Sequence, residues 1–220
     1  HGTVKKTAVL EFKNVRKSGL IAIKLREGDS LAWVKQTNPT NHVMIVTREG
    51  KCIQFDEADV RPMGRASMGV RGIKVRTGDE VVEMDVMKDL KADLFVVMEN
   101  GLGKRTPIEE YRFQARGGSG VKTANLNAKT GKLVGARVLE PDTEGDIIIV
   151  SKKGVMIRTN LKSVPARGRA TQGVYLMRVK NDDKVASMSF IAQSEQQAES
   201  EQTGSEADDH SKEMEQEVLV

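Results

Sequence analysis

The sequence predicts an all-β protein, an array of about four repeated units of four strands each, and three observations predict it. Glycines at Gly2, Gly50, Gly101 and Gly154, separated by 48, 51 and 53 residues, each open a short strand: GTVKKT, GKCIQF, GLGKRT and GVMIRT. A second series, Gly19, Gly69, Gly120 and Gly173, recurs at 50, 51 and 53 residues and follows a basic corner each time: VRKSG, GRASMG, RGGSG and GRATQG. A third register is a turn some ten residues further on, EGD from Glu27, TGD from Thr77, TGK from Thr130 and NDD from Asn181. Three landmarks sharing one period define a repeat, and a small sheet repeated at this period buries its faces only by stacking on its neighbours, as in a propeller-like array.

Each element follows from this frame. LIAIKL with SLAWV, GIKV with VVEMDV, TANL with LVGARVL and YLMRV with VASMSFI flank the turns and read as strand pairs across hairpins, while HVMIVT, DLFVVME and DIIIVS close the first three units. The units run over residues 1–47, 48–99, 100–151 and 152–192. The corner glycines belong where the chain passes between neighbouring sheets and needs positive φ or a close backbone approach, which a Cβ would hinder. The fourth unit has no closing strand and the first has nothing before GTVKKT; a strand upstream of His1 would complete the register, so the array is expected to extend beyond the N-terminal side.

Composition excludes several functions. The 220 residues are 38% hydrophobic, enough for a core, and contain no apolar run long enough to span a membrane and no secretory pattern. A cytoplasmic protein is expected. Cys52 is the one cysteine and His1, His42 and His210 are scattered, so neither a disulfide nor a metal site is expected. QARGGSG, residues 114–120, could suggest a phosphate cradle, but Val121 separates Gly120 from Lys122 and no G-x-x-x-x-G-K-[ST] or G-x-G-x-x-G fits. Tyr111 and Tyr175 lie inside repeats, where packing explains them better than nucleophilic chemistry. No paired carboxylates or triad stand at catalytic spacing, so no catalytic residue is expected.

The charge is divided. Residues 193–220 carry nine acidic residues against Lys212 alone, whereas residues 1–192 hold 34 basic and 22 acidic residues, a net of +12. The tail, dominated by Gln, Ser and Glu, is expected to be disordered and to compete with an anionic ligand for the basic body. Arginine or lysine recurs at every corner: Arg16 and Lys17, Arg61 and Arg65, Arg116, then Arg167 and Arg169. One place per unit means one rim, and a positive rim attracts a polyanion.

VRPMGRASMGVRGIKV, GKRTPIEEYRFQARGGSGVKT and GVMIRTNLKSVPARGRATQGVYLMRV resemble successive repeats of the C-terminal domain of the DNA gyrase A subunit, and the resemblance covers residues 1 to about 192. It implies a β-pinwheel, a propeller relative usually of six blades whose basic perimeter wraps duplex DNA, of which this chain would be the last four blades and an acidic tail. The family's box, Q-[RK]-R-G-G-[RK]-G, is matched at Gln114, Arg116, Gly117, Gly118 and Gly120, but Ala115 and Ser119 replace two basic positions. That stretch is expected to act as a blade connector keeping one phosphate contact.

The resemblance further implies a non-catalytic module of a bacterial type IIA topoisomerase that supports DNA supercoiling. Cutting would use a tyrosine elsewhere, and ATP and Mg would be bound by other domains or subunits, with no cofactor here. The implied partners are duplex DNA, the remainder of the A subunit, and the B subunit of gyrase, at the nucleoid. Expected DNA contacts are Lys5, Lys6, Arg16, Lys17, Arg61, Arg65, Arg71, Lys104, Arg105, Arg116, Lys122, Arg158, Arg167 and Arg169, acting on phosphates. Two alternatives are the equivalent domain in the A subunit of topoisomerase IV and a propeller serving as a protein-interaction platform. The second would need apolar or aromatic blade faces, whereas only 4% of the residues are aromatic.

Overall fold

A computed structural model describes residues 1–180 and 182–192; the acidic tail lies outside the described residues. There are thirteen strands and no α-helix among the described residues. In chain order they are β1 (Thr3–Val4), β2 (His42–Thr47), β3 (Lys51–Asp56), β4 (Val70–Arg71), β5 (Val81–Met87), β6 (Asp93–Met98), β7 (Leu102–Pro107), β8 (Val121–Lys122), β9 (Leu133–Leu139), β10 (Gly145–Ser151), β11 (Met156–Asn160), β12 (Val174–Tyr175) and β13 (Val185–Ala192).

These form two four-stranded sheets, β5-β2-β3-β8 and β12-β7-β6-β9, a three-stranded sheet β11-β10-β13, and the pair β1-β4, all antiparallel. In the larger three, two consecutive strands make a tight hairpin, and the hairpin turns occupy residues 48–50, 99–101 and 152–155. The junctions drawn from the sequence at 47/48, 99/100 and 151/152 therefore fall inside hairpins. Apart from the two-residue strands β8 and β12, the sheets run over residues 42–87, 93–139 and 145–192.

The segments before the TGD-type turns behave differently from the hairpin expectation. GIKV and TANL contribute little strand, and β4, β8 and β12, two residues each, pair backwards with β1, β3 and β7 of the preceding unit. The turn thus links two sheets, and each unit latches onto the one before it. In the first unit LIAIKL and SLAWV form no strand, because no strand among the described residues lies alongside to complete their ladders; Ile21, Leu25, Leu31 and Val34 are exposed there.

The apolar runs are explained by burial on both sheet faces. In β6, Leu94, Val96 and Met98 pack towards Met44, Val46 and Met87 of the preceding sheet, while Phe95 and Val97 pack towards Ile147 and Ile149 of the next. Successive strand residues point to opposite faces, so a strand with sheets on both sides is apolar throughout. Each large side chain so buried contributes about 1.5–3 kcal/mol. The sheets consequently stack in series, and the corners fall along one edge.

Candidate nucleic-acid interface

After β3, β7 and β11 the chain makes one 3-10 turn, at Glu57–Asp59, Ile108–Glu110 and Leu161–Ser163. It then doubles back along the preceding unit: Met63 N–H donates to Lys6 O (2.8 Å), Gln114 N–H to Gln54 O (2.9 Å) and Arg167 N–H to Arg105 O (2.8 Å). The corner glycine that follows has no room for a side chain. At Gly120, φ is +68° and a Cβ would stand 2.6 Å from Cys52 O; Gly173, with φ +80°, meets Gly103 O in the same way. These are left-handed conformations that glycine alone adopts without cost.

Corners are also bonded to one another in series. Lys24 N–H donates to Ser67 O (3.1 Å), Lys74 N–H to Gly118 O (2.8 Å) and Asn125 N–H to Thr171 O (3.0 Å), one bond between each corner and the strand leaving the previous one. The result is a continuous edge on which equivalent positions repeat.

The recurring arginine has a structural task on this edge. Arg116 donates from Nε to Asp59 O (3.0 Å) and from Nη1 to Arg71 O (3.1 Å), and Arg169, at the equivalent position, donates from Nη1 to Lys122 O (2.9 Å). Arg65 is the third member of this series and all three are half-buried. The box-like stretch is pinned besides by Gly117 N–H on Gly72 O (2.6 Å). The side-chain amide nitrogen and oxygen of Gln54 and the amide nitrogen of Gln114 are buried beside it without a hydrogen-bond partner.

Two lysines are committed to backbone carbonyls of a corner. Lys104 is fully buried and its Nζ donates to Gly168 O (2.7 Å), Arg169 O (2.9 Å) and Thr171 Oγ1 (3.3 Å). Burial pushes its pKa down to about 8, with the nearby Arg169 and Lys122 charges adding to the effect and Glu110 opposing it. Its ammonium therefore holds a corner together and does not reach an outside phosphate. Lys5 repeats the arrangement two units earlier, donating to Ala22 O (2.6 Å) and Arg65 O, and burial lowers its pKa as well.

Other expected contacts are partly engaged. Lys6 pairs with Glu57 (2.8 Å), Arg105 with Asp93 (3.4 Å) and with Val164 O through Nε (2.8 Å), and Arg158 with Asp146 (2.5 Å). Lys122 donates to Asn125 Oδ1 (3.0 Å) and Arg167 to Ala166 O (3.1 Å), while both remain exposed. Arg16, Lys17, Arg61 and Arg71 are exposed and take no ion pair among the described residues.

Sequence reasoning named Arg71 and Lys122 on this edge but missed the register they share and its last member, Tyr175. The second residue after the corner glycine points outward in every unit: Ile21, Arg71, Lys122 and Tyr175 are all exposed. The backbone registers agree, since Arg71 faces Thr3, Lys122 faces Lys51 and Tyr175 faces Leu102, each the residue after a hairpin glycine. The Tyr175 ring is approached by Lys129 Nζ at 5.7 Å and the Arg178 guanidinium carbon at 5.2 Å. Alignment of the repeats on Gly120 and Gly173 would have found it. Among the described residues no His, Cys, Asp and Glu cluster could hold a metal, and no helix is long and apolar enough to cross a membrane. Tyr111 is buried, its hydroxyl 2.5 Å from Thr123 Oγ1.

A family model described as DNA gyrase C-terminal domain, beta-propeller, matches residues 1–38, 41–86, 92–140 and 145–192, segments whose borders follow the sheets. The DNA gyrase A subunit of Staphylococcus aureus strain NCTC 8325 / PS 47 is 37% identical over 222 residues, covering 100% of this chain and 25% of that protein. The strain MRSA252 protein is 39% identical over 204 residues, covering 92% of this chain and 23% of its own length. This chain thus spans about a quarter of those relatives. Among solved structures, a DNA gyrase A C-terminal domain superposes with a TM-score of 0.74 at 28% identity, covering 86% of this chain and 62% of that one. The C-terminal domain of a DNA topoisomerase IV superposes with a TM-score of 0.81 at 24% identity, covering 87% of this chain and 59% of that one, which speaks to the fold. With that family model matching four successive stretches that together cover most of residues 1–192, the chain belongs to the DNA gyrase C-terminal domain, beta-propeller family.

Proposed function

We propose that this chain is a non-catalytic module that binds and wraps duplex DNA within the A subunit of a gyrase-type topoisomerase. The observation that supports the reading is the bonded series of corners, with exposed cations near every one of them: Arg16 and Lys17, Arg61 and Arg71, Lys122, and Arg167. Phosphates are the matching ligand, since a repeat of point charges with few aromatic side chains offers little to read base edges. The half-buried Arg116 and Arg169 hold the corners in place through neighbouring carbonyls and add their positive charge to the same edge. Strand cutting and ATP and Mg binding belong to other parts of such an enzyme. Its further partners would be the remainder of the A subunit, together with the gyrase B subunit, in the cytoplasm at the nucleoid.

Bending duplex DNA around a rim costs several kcal/mol, so contacts must be spread over all units. The test is affinity of the full chain for duplexes of about 20 and about 150 base pairs at equal ionic strength. The longer duplex is expected to bind more tightly per chain and to shorten its end-to-end distance in a fluorescence transfer measurement. Equal affinity and unchanged length would refute wrapping. The superposition on topoisomerase IV favours a second reading, the equivalent domain of that enzyme. Fusion of this chain to a gyrase catalytic core separates the two, since negative supercoiling is expected only from the gyrase-type module.

A further inference from the structure

The repeat register exposes a second basic series that lies outside the corners. Five residues after the corner glycine, and again two residues later, stand Lys24 and Arg26, Lys74 and Arg76, and Arg178 and Lys180. The third unit has Asn125 at the first position and carries its cation at Lys129, one residue before the turn at Thr130. All of these cations are exposed.

They are also uncompensated. In the first, second and fourth units a turn bearing an aspartate follows the cations, and that carboxylate is occupied elsewhere. Asp79 accepts from Glu49 N (2.9 Å) and Glu80 N (2.8 Å), Asp183 from Lys153 N (3.1 Å) and Lys184 N (2.8 Å), and Asp29 from Ser30 N (3.0 Å) and the N-terminal ammonium (3.0 Å). No ion pair reaches the cations of the series among the described residues. The opposite condition holds at the hairpin turns, where Arg48 pairs with Glu80 and Glu99, Lys132 with Glu49 and Lys184 with Glu99. Acids are plentiful in the fold, yet none forms an ion pair with this series among the described residues.

Tyr175 fixes where the series lies. It occupies the outward position that Arg71 and Lys122 hold in the preceding units, and its ring is approached by Lys129 and Arg178 of the second series. Beside Tyr175 the two series therefore meet within one side chain of each other, and the shared repeat register puts the same adjacency at each unit. We infer that Lys24, Arg26, Lys74, Arg76, Lys129, Arg178 and Lys180 form a second track of phosphate contacts, which holds the other strand of a duplex whose first strand follows the corners. This rests on the DNA-binding reading above and deepens it by assigning both backbone strands.

The test compares three variants of the full chain on a duplex of about 150 base pairs between 50 and 200 mM salt. The first replaces Lys74, Arg76, Lys129 and Arg178 by glutamine, the second replaces Arg61, Arg71, Lys122 and Arg167, and the third makes the same charge change at Lys88, Lys91, Lys152 and Lys162. Each lost phosphate contact lowers the slope of log K against log salt by about 0.9, so the first and second variants are each expected to lose about 3–4 from the slope. The third is expected to keep it. A first variant that matches the third, while the second loses slope, overturns the second track and leaves the DNA reading standing. A native chain with no salt dependence overturns both.

Discussion

Gly120→Ala should cost about 3–4 kcal/mol, and the magnitude follows from where the missing Cβ would stand. A left-handed backbone costs a residue with a side chain about 1–2 kcal/mol. The new atom would also sit 2.6 Å from Cys52 O and 2.9 Å from Cys52 C, and both belong to a fully buried residue of β3 that cannot yield alone. Relief requires β8 to lift off β3, which gives up the pairing of Lys51 with Lys122 and Cys52 with Val121 at about 1 kcal/mol per hydrogen bond. Gly78→Ala supplies the comparison, because Gly78 has φ +81° and nothing within 4 Å of its would-be Cβ. It carries only the backbone cost, about 1–2 kcal/mol. Urea unfolding followed by far-UV circular dichroism measures both. Equal losses for the two variants would refute the view that the corner glycines serve as latches between units.

Three further outcomes are expected. Lys104 has a folded-state pKa of about 8 against about 10.4 in an unfolded chain, so between those values the unfolded state holds more protons and stability should rise with pH, by up to about 3 kcal/mol; this rise should be absent in Lys104→Met, read as the difference in urea midpoints at pH 7.5 and 10.5. Burial and the neighbouring Asp85 push the Glu83 pKa up to about 7, so the folded state keeps a proton that the unfolded state loses, and stability falls from about pH 4.3 to pH 7; Glu83→Gln should gain about 1–2 kcal/mol at pH 8 and nothing at pH 4, in thermal melts at the two pH values. Tyr111→Phe leaves the buried Thr123 hydroxyl without its 2.5 Å partner and should cost about 1–3 kcal/mol in urea unfolding without changing DNA affinity.

Much of the architecture was legible in the sequence because it rests on glycine and on strand patterning. Gly69, Gly120 and Gly173 mark the corners, and they do so because each abuts a carbonyl of the preceding unit. The apolar runs HVMIVT and DLFVVM mark central strands buried on both faces. The backward pairing of β4, β8 and β12 was not legible, since a two-residue strand leaves no periodicity and its partner lies some 70 residues away in the chain. For the same reason TGD looked like a hairpin turn, although it joins two sheets.

Of the candidate edge, the recurring corner was legible, and the standing of its individual side chains was not. Recurrence put a cation at every corner, but sequence does not say which end of a cation is free. Arg116 and Arg169 use guanidinium N–H groups on neighbouring carbonyls, and Lys104 is buried outright, while Arg61 and Arg71 stay open to solvent. Lys24, Lys74 and Arg178 share a register as regular as the corners do, yet charges beside a turn look like ordinary surface until the aspartates next to them are seen to be occupied.

The most direct test of DNA binding by this edge is the affinity of the full chain for duplex DNA as a function of salt. Six or more phosphate contacts should weaken binding by about a thousandfold between 50 and 200 mM salt. A flat response, with binding unchanged across that range, would contradict an electrostatic edge and return the chain to the class of propellers that bind protein partners.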